Sequence, residues 1–102
     1  MNPVTLILTA PRALEEKLVQ FLLENEVAGA AGFTVRETVA YGRELEFRTV
    51  SERIGGRIRQ IEIRLSLAAD AVPPLVDALK SAIPDGDVTW QVTLISASGT
   101  LG

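Results

Sequence analysis

The sequence predicts an α+β fold with four strands and two helices in the order β-α-β-β-α-β. Two observations support it: apolar residues alternate with polar ones in the later strand segments, and they recur with helical spacing in two other segments. The chain has 102 residues, of which 47% are hydrophobic and 23% charged. These values are typical of a soluble domain with its own core, so we expect residues 1–102 to form a single domain.

The first half-unit is a strand followed by a helix. Residues 4–9 are β-branched and apolar, as in a buried strand, and Pro11 follows where the first turn of a helix tolerates proline. The predicted helix carries one apolar stripe and has Glu15 and Glu16 near its start, which suits the helix dipole. Gly29 and Gly32 are predicted to end it. The stripe consists of Leu14, Leu18, Phe21 and Leu22.

Two strands follow, over residues 32–41 and 57–67. In the first, Phe33, Val35, Val39 and Tyr41 share one face. Glu37 interrupts that face, so either the strand bulges there or the carboxylate is paired. The second strand alternates regularly. Its inward positions are Ile61, Ile63, Leu65 and Leu67.

The second half-unit repeats the helix and strand. Asp70 is the predicted N-cap, Pro73 and Pro74 occupy the first turn, and Pro84 ends the helix. Its apolar stripe consists of Val72, Leu75, Val76, Leu79 and Ile83. The last strand is predicted to point Val88, Trp90, Val92 and Leu94 inward.

Two split β-α-β units of this kind close as a ferredoxin-like fold, a four-stranded antiparallel sheet with both helices on one face. The other face is rich in threonine, and Arg36 and Glu62 on it can satisfy each other. Such a face suits either solvent or a polar interface between copies of the chain. Its predicted members are Thr5, Thr34, Arg36, Thr38, Gln60, Glu62, Arg64, Thr89, Gln91 and Thr93.

Composition excludes several classes of chemistry. The chain has no cysteine and no histidine, which removes thiol catalysis, imidazole bases and Cys/His metal sites. The formal net charge of −3 argues against general nucleic-acid binding. An acylphosphatase-like hydrolase stays a third alternative, although the segment after the first strand, residues 9–12, lacks a glycine-rich phosphate cradle. We therefore expect a non-enzymatic protein without a cofactor or metal.

Residues 42–56, between the second and third strands, form a long predicted loop. Seven of the eight arginines lie between positions 36 and 64, and the loop also carries apolar residues that have no evident place in the core. Apolar side chains among charges on a loop suit docking to a partner, so we expect residues 43–54 to be mobile without one. The candidate docking residues are Leu45, Phe47, Arg48, Val50 and Ile54.

The base of this loop is a candidate anion site. Arg57 and Arg59 project from the same face of a strand, and Arg53 lies one glycine pair away and can swing onto them. Guanidinium groups bind phosphate through paired hydrogen bonds, and the backbone N–H groups of Gly55 and Gly56 can approach the same anion. Glu52 and Glu62 could instead neutralise the arginines. The alternative is that these arginines have a structural role only, in a strand pair held together by Glu–Arg ion pairs.

The element order and the long loop resemble the PII-like signalling superfamily, whose T-loop lies at this position. Residues 51–59 (SERIGGRIR), the Trp90 strand and residues 98–101 are similar to a small PII-like family often associated with heavy-metal efflux systems of the resistance-nodulation-division type. The resemblance implies a homotrimer with inward-facing sheets and a T-loop that docks on a membrane transporter, an efflux component or another effector. The sequence shows no targeting or membrane-spanning segment, so we expect a cytoplasmic location without membrane insertion.

The resemblance also implies an adenine nucleotide as a candidate effector, held between subunits. Arg53, Arg57 and Arg59 match the basic groups near the nucleotide's phosphates, and Gly86 takes the place of the phosphate-binding B-loop. The turn at residues 84–87 is shorter than that loop, acidic and without its lysine. The loop also lacks the metal-binding histidines of efflux-linked relatives. The alternative is a small-molecule sensor, or a metal-tolerance protein that resembles the trimeric divalent-cation-tolerance family, in which the body rather than the loop is functional.

Overall fold

The computed structural model describes residues 3–42, 53–54, 57–84 and 87–102, with residues 53–54 described by their backbone alone. Single 3₁₀ turns, Arg12–Leu14 and Ala69–Ala71, precede the first and last helices. The strands are β1 (Pro3–Pro11), β2 (Thr34–Tyr41), β3 (Arg53–Ile54), β4 (Arg57–Ala68) and β5 (Thr89–Leu94). The helices are α1 (Glu15–Glu24), α2 (Glu26–Ala31) and α3 (Val72–Ala82).

The strands form one antiparallel sheet in the order β2-β4-β1-β5, so the predicted α+β, ferredoxin-like fold is confirmed. The short strand β3 was not predicted. It pairs with the start of β4, where Arg53 stands opposite Ile58 and Ile54 opposite Arg57. Residues 53–54, which were predicted to belong to the loop, are therefore part of the sheet.

The core lies between the sheet and the helices, and the central strands β1 and β4 supply most of its sheet side. The predicted inward positions of β4 are all buried, as is one stripe of each long helix. Leu14, Phe21, Phe33 and Val35 are partly buried at its margin. The core residues are Val4, Leu6, Leu8, Ala10, Leu18, Leu22, Ala28, Ile61, Ile63, Leu65, Leu67, Val72, Leu75, Val76, Leu79 and Ile83.

The first helical segment differs from the prediction because Asn25 breaks it into two. The Asn25 side-chain Oδ1 accepts hydrogen bonds from the backbone N–H groups of Val27 and Ala28, both at 3.0 Å, and so caps α2. Gly29 does not end a helix but lies inside α2. Gly32 does end it, with φ 78° and ψ 158°, a conformation that essentially only glycine adopts.

The start of α3 also departs from the prediction. Asp70 lies in the preceding 3₁₀ turn, and the cap position belongs to Ala71, which makes no side-chain capping bond. Prolines in the first turn replace a side-chain cap, since proline has no N–H group to satisfy. The helix ends before Pro84, as predicted.

The edge strands are less covered than the alternation predicted. Trp90, Val92 and Leu94 share the helix-facing side of the sheet with Leu8, Leu6 and Val4, yet they are exposed, Trp90 by 51% and Leu94 by 86%. Val39 and Tyr41 on β2 are also exposed. Alternation predicts which face a side chain shares, whereas the reach of the helices decides whether that face is covered. No helix among the described residues is long and apolar enough to cross a membrane.

Candidate functional site

The end of the sheet where the undescribed segment 43–52 leaves β2 forms the loop base. Here β2 and β4 pair without helix cover, with Val39 opposite Arg59 and Tyr41 opposite Arg57. All four residues are exposed, and the alternation places them on the helix-facing side of the sheet. We call this surface the loop-base ribbon. It presents two guanidinium groups beside an aromatic ring and a valine.

The two arginines of the ribbon are available to a ligand. Arg57 Nη1 donates a hydrogen bond of 3.4 Å to Tyr41 Oη, which is close to the longest distance for such a bond. Neither Arg57 nor Arg59 forms an ion pair with any carboxylate among the described residues. In particular, Glu62 does not neutralise them.

Arg53, the third arginine predicted for this site, lies on a short strand rather than in a loop. Arg53 belongs to strand β3, and its Cα is paired with that of Ile58 on β4. The backbone of Arg53 is therefore part of the sheet, and whether its side chain reaches Arg57 and Arg59 stays a prediction. The side chains of Arg53 and Ile54 lie outside the described residues, and so do the remaining candidates, Leu45, Phe47, Arg48, Val50, Gly55, Gly56 and Gly86.

The face of the sheet away from the helices, the open face, carries a charged cluster. Glu62 Oε1 accepts hydrogen bonds from Arg36 Nε at 3.1 Å and from Arg64 Nε at 2.9 Å. The hydrogen bond from Arg64, together with the charges of both arginines and a second bond from Arg36, holds the pKa of Glu62 below its ordinary value. The predicted Arg36–Glu62 pair is confirmed as part of a three-residue cluster with one surplus positive charge.

Two isoleucines on the open face were not predicted to be buried there. Ile7 lies between Arg64 and Gln91 in the register and is 6% exposed, while Ile58 near the loop base is 3% exposed. Thr38 Oγ1, on the same face, is buried and has no hydrogen-bond partner among the described residues. The open face is thus apolar and occluded at these positions rather than uniformly polar.

A cavity of about 300 Å³ lies between α3 and β5 on the helix side of the sheet. Trp90, the single tryptophan of the chain, forms one wall, and Lys80 is the charged residue in its lining. The other lining residues are apolar: Leu8, Val76, Leu79, Ile83, Pro84 and Val88. Its volume is at the lower end of the range for small-molecule pockets.

One family profile matches the whole length of the chain. The profile of the family described as "Protein of unknown function (DUF3240)" matches residues 1–102. The chain belongs to the DUF3240 family. No curated protein is significantly similar to it in sequence.

Solved structures agree with this assignment. A DUF3240 family protein from Shewanella baltica is 19% identical with a TM-score of 0.76, and the match covers 100% of this chain and 99% of that one. CutA from Pyrococcus horikoshii is 17% identical with a TM-score of 0.69, covering 94% and 87%. At these identities the likeness shows the fold alone, and the fold is the ferredoxin-like one that the sequence predicted.

A Bacillus cereus protein related to NIF3 is a further match, with 15% identity and a TM-score of 0.64. The match covers 97% of the DUF3240 chain but 26% of that protein, so the same fold also occurs within a larger chain. None of these descriptions names a catalysed reaction.

Sequence reasoning missed two features of this DUF3240 chain. The first is the part of Arg64 in the Glu62 cluster, although a spacing of two residues on one strand places both side chains on one face. The second is the cavity beside Trp90, for which the sequence has no signal. Strand alternation predicts the face on which a tryptophan lies, and this prediction is the same whether the tryptophan is buried or exposed beside a cavity.

Proposed function

We propose that this DUF3240 protein is a non-enzymatic, trimeric regulatory protein of the PII-like class. In this proposal residues 1–102 form one domain, and residues 42–56 act as a T-loop that docks on a membrane transporter or another effector. The loop-base ribbon binds an anionic effector such as an adenine nucleotide. The observation that carries the proposal is the pair of arginines, Arg57 and Arg59, exposed and without an acidic partner among the described residues.

The chemistry of the ribbon supports an anion with an aromatic part. Two guanidinium groups on one face repel each other unless an anion lies between them, and phosphate oxygens accept paired hydrogen bonds from guanidinium. Tyr41 and Val39 beside them offer an aromatic and an apolar surface on which a base can pack. This combination suits a nucleotide better than it suits inorganic phosphate.

The edge strand β5 supports self-association. Its six residues, Thr89–Leu94, carry no charge, and Trp90, Val92 and Leu94 are exposed on one side of it. An uncharged edge strand with apolar side chains readily pairs with another strand, and proteins that stay monomeric usually place charges or proline there. In the proposal, a neighbouring copy covers this edge.

Calorimetric titration with ATP, ADP, AMP and cyclic AMP tests whether the protein binds an adenine nucleotide. We expect at least one of them to bind, and the double variant Arg57→Ala/Arg59→Ala to weaken that binding at least about tenfold, because two charge-assisted contacts are lost. Arg12→Ala is the control, since it removes an arginine that is paired with Glu37 elsewhere. Equal binding by the double variant would contradict the location.

Deletion of residues 43–52 tests docking. The shortened protein should keep the sedimentation behaviour of the wild type. It should no longer associate with the protein on which the T-loop docks, as measured in detergent-solubilised membranes of the native host. Association that persists after the deletion would favour the second candidate function, in which the body of the protein is the functional part.

The cavity beside Trp90 favours that second candidate, a small-molecule sensor. The apolar lining with Lys80 suits a small apolar carboxylate. Titration of octanoate with tryptophan fluorescence as readout tests it, because Trp90 is the single tryptophan. A saturable change that weakens in Lys80→Gln supports the sensor, whereas an unchanged spectrum contradicts it.

A further inference from the structure

A depression of about 450 Å³ lies on the open face, at the end of the sheet opposite to the loop base. It arises because β2 begins at Thr34 whereas β4 continues to Ala68, so no strand residue of β2 stands beside Ser66. The chain turns away at Gly32 instead, in a conformation that needs glycine. We call this depression the corner notch.

The register of the sheet brings three hydroxyl groups and one guanidinium group to the corner notch. Thr34 on β2 stands opposite Arg64 on β4, and Thr5 on β1 stands opposite Ser66 on β4. The positions of Arg64 and Ser66 differ by two, so all four residues share the open face. None of the three hydroxyl groups has a hydrogen-bond partner among the described residues.

Arg64 is held in place without using up its donors. Its Nε donates to Glu62 Oε1 at 2.9 Å, which orients the guanidinium plane, while the two Nη groups have no partner among the described residues. In the single chain the Arg64 side chain is 51% exposed, so these groups can reach a ligand there. The fork geometry of guanidinium fits two oxygen atoms of one ligand.

The local charge favours an anion. Glu62 is the one carboxylate among the described residues of the open face, and it already accepts from both Arg36 and Arg64. One positive charge is therefore left over beside the corner notch. The C-terminus of α2 faces this corner, but a six-residue helix contributes little opposing dipole at an exposed surface.

We propose that the corner notch binds an oxyanion, a carboxylate or a phosphate group, through Arg64 with Thr5, Thr34 and Ser66 as hydroxyl donors. This site is separate from the loop-base ribbon and goes beyond the proposed function. Arg59 and Arg64 are five positions apart on β4, about 17 Å along an extended strand, and the two arginines lie on opposite faces of the sheet. One anion cannot contact both.

The test is a titration of the ¹⁵N-labelled full chain with inorganic phosphate and, separately, with acetate, at constant ionic strength. We expect saturable chemical-shift changes at the amides of Thr5, Thr34 and Ser66. The probe that binds more tightly identifies the class of the natural ligand. Tighter binding of phosphate indicates a phosphorylated ligand, and tighter binding of acetate indicates a carboxylate. No saturable change at these amides with either probe at millimolar concentration would overturn the proposal.

Variants locate the site. Arg64→Gln should weaken binding at least about tenfold, because charge-assisted bonds are lost. Arg12→Gln removes the same charge on the other side of the sheet and should leave it unchanged. Equal weakening by both would mean general charge attraction and would overturn the proposal.

A second variant keeps the test valid if Arg64→Gln does not fold. Thr34→Val retains the shape and the strand propensity but removes one hydroxyl donor, so binding should weaken by about threefold to tenfold. Unchanged binding by Thr34→Val, with an unfolding midpoint like that of the wild type, would contradict the assigned donors. These readouts do not involve Arg57 or Arg59, so they stand apart from the nucleotide test.

Discussion

Arg12 and Glu37 form an ion pair between the turn after β1 and the middle of β2, with Arg12 Nε and Glu37 Oε1 3.4 Å apart. Glu37 stands opposite Ile61, which is fully buried in the core. A carboxylate can occupy this position because β2 is an edge strand, where the Glu37 side chain is 57% exposed and reaches Arg12. The sequence left a bulge or a pairing open, and the continuous register excludes the bulge.

The Arg12–Glu37 pair should contribute little to stability. A double-mutant cycle with Arg12→Gln and Glu37→Gln is expected to give a coupling free energy of about 0.2–1 kcal/mol, because water screens both side chains. The coupling should fall as salt is raised. Urea unfolding of the four proteins measures it, and a coupling well above this range would show that the pair is more buried in solution.

Glu62→Gln should reduce the acid sensitivity of the protein. The pKa of Glu62 is lowered in the folded state, so the unfolded state binds more protons, and stability from this group is full above about pH 4.5. It is lost as the pH falls through the lower, folded-state pKa. We expect the wild type to lose stability over this window and the variant to lose less.

Glu24→Gln is the matched control for the Glu62 experiment. Glu24 lies on the surface of α1, where its carboxylate accepts one hydrogen bond from Gln20. No guanidinium group pairs with Glu24 among the described residues, so urea midpoints measured from pH 6 to pH 3 should change in parallel for this control and the wild type. Parallel curves for Glu62→Gln as well would contradict the assigned cause.

Gly29→Ala should destabilise the protein although alanine is the better helix former. A Cβ at position 29 would lie 2.6 Å from the carbonyl oxygen of Leu23, a backbone atom at the end of α1. α1 and α2 would have to move apart, at a cost of about 1–3 kcal/mol, which exceeds the gain of about 1 kcal/mol in helix propensity. Urea unfolding measures the difference.

Ala31→Gly provides the comparison for Gly29→Ala. Ala31 is exposed at the end of α2, so the change should cost at most about 1 kcal/mol, from propensity alone. A stabilised Gly29→Ala protein would show that the junction of α1 and α2 adapts without strain.

Val92→Glu should shift the protein from the proposed trimer to a monomer. Val92 lies on the uncharged edge strand β5, opposite Leu6, and is partly exposed on the helix side of the sheet. A carboxylate buried against a neighbouring copy without a partner would strongly oppose association. Sedimentation equilibrium at micromolar concentration measures the mass in solution, which should fall from about three times the mass of one chain to the mass of a single chain.

Leu23→Glu is the control for the edge variant. Leu23 is a large exposed apolar residue on α1, away from β5, and its replacement should leave the mass in solution unchanged. A monomeric wild type would contradict the proposed trimer directly. A trimeric Val92→Glu protein would move the interface to another surface.

The sequence alone determined the order of the four long strands and of the helical segments between them, the face that each residue of the regular strands occupies, and the stripes that α1 and α3 bury. These follow from periods of two and 3.6, which are local properties of the chain. It also placed Arg57 and Arg59 on one face and paired Arg36 with Glu62. The sequence missed the break at Asn25, because a capping asparagine inside an apolar periodic segment looks like an ordinary polar position.

Tertiary structure decided what covers each face. Trp90 and Leu8 share a side of the sheet, but the helices reach the central strand β1 and leave the edge strand β5 exposed. The corner notch likewise depends on where β2 starts relative to the end of β4, and the Glu62 cluster depends on cross-strand register. Register and helix placement are long-range properties, so local alternation identifies the donors of a candidate site but not which of them converge.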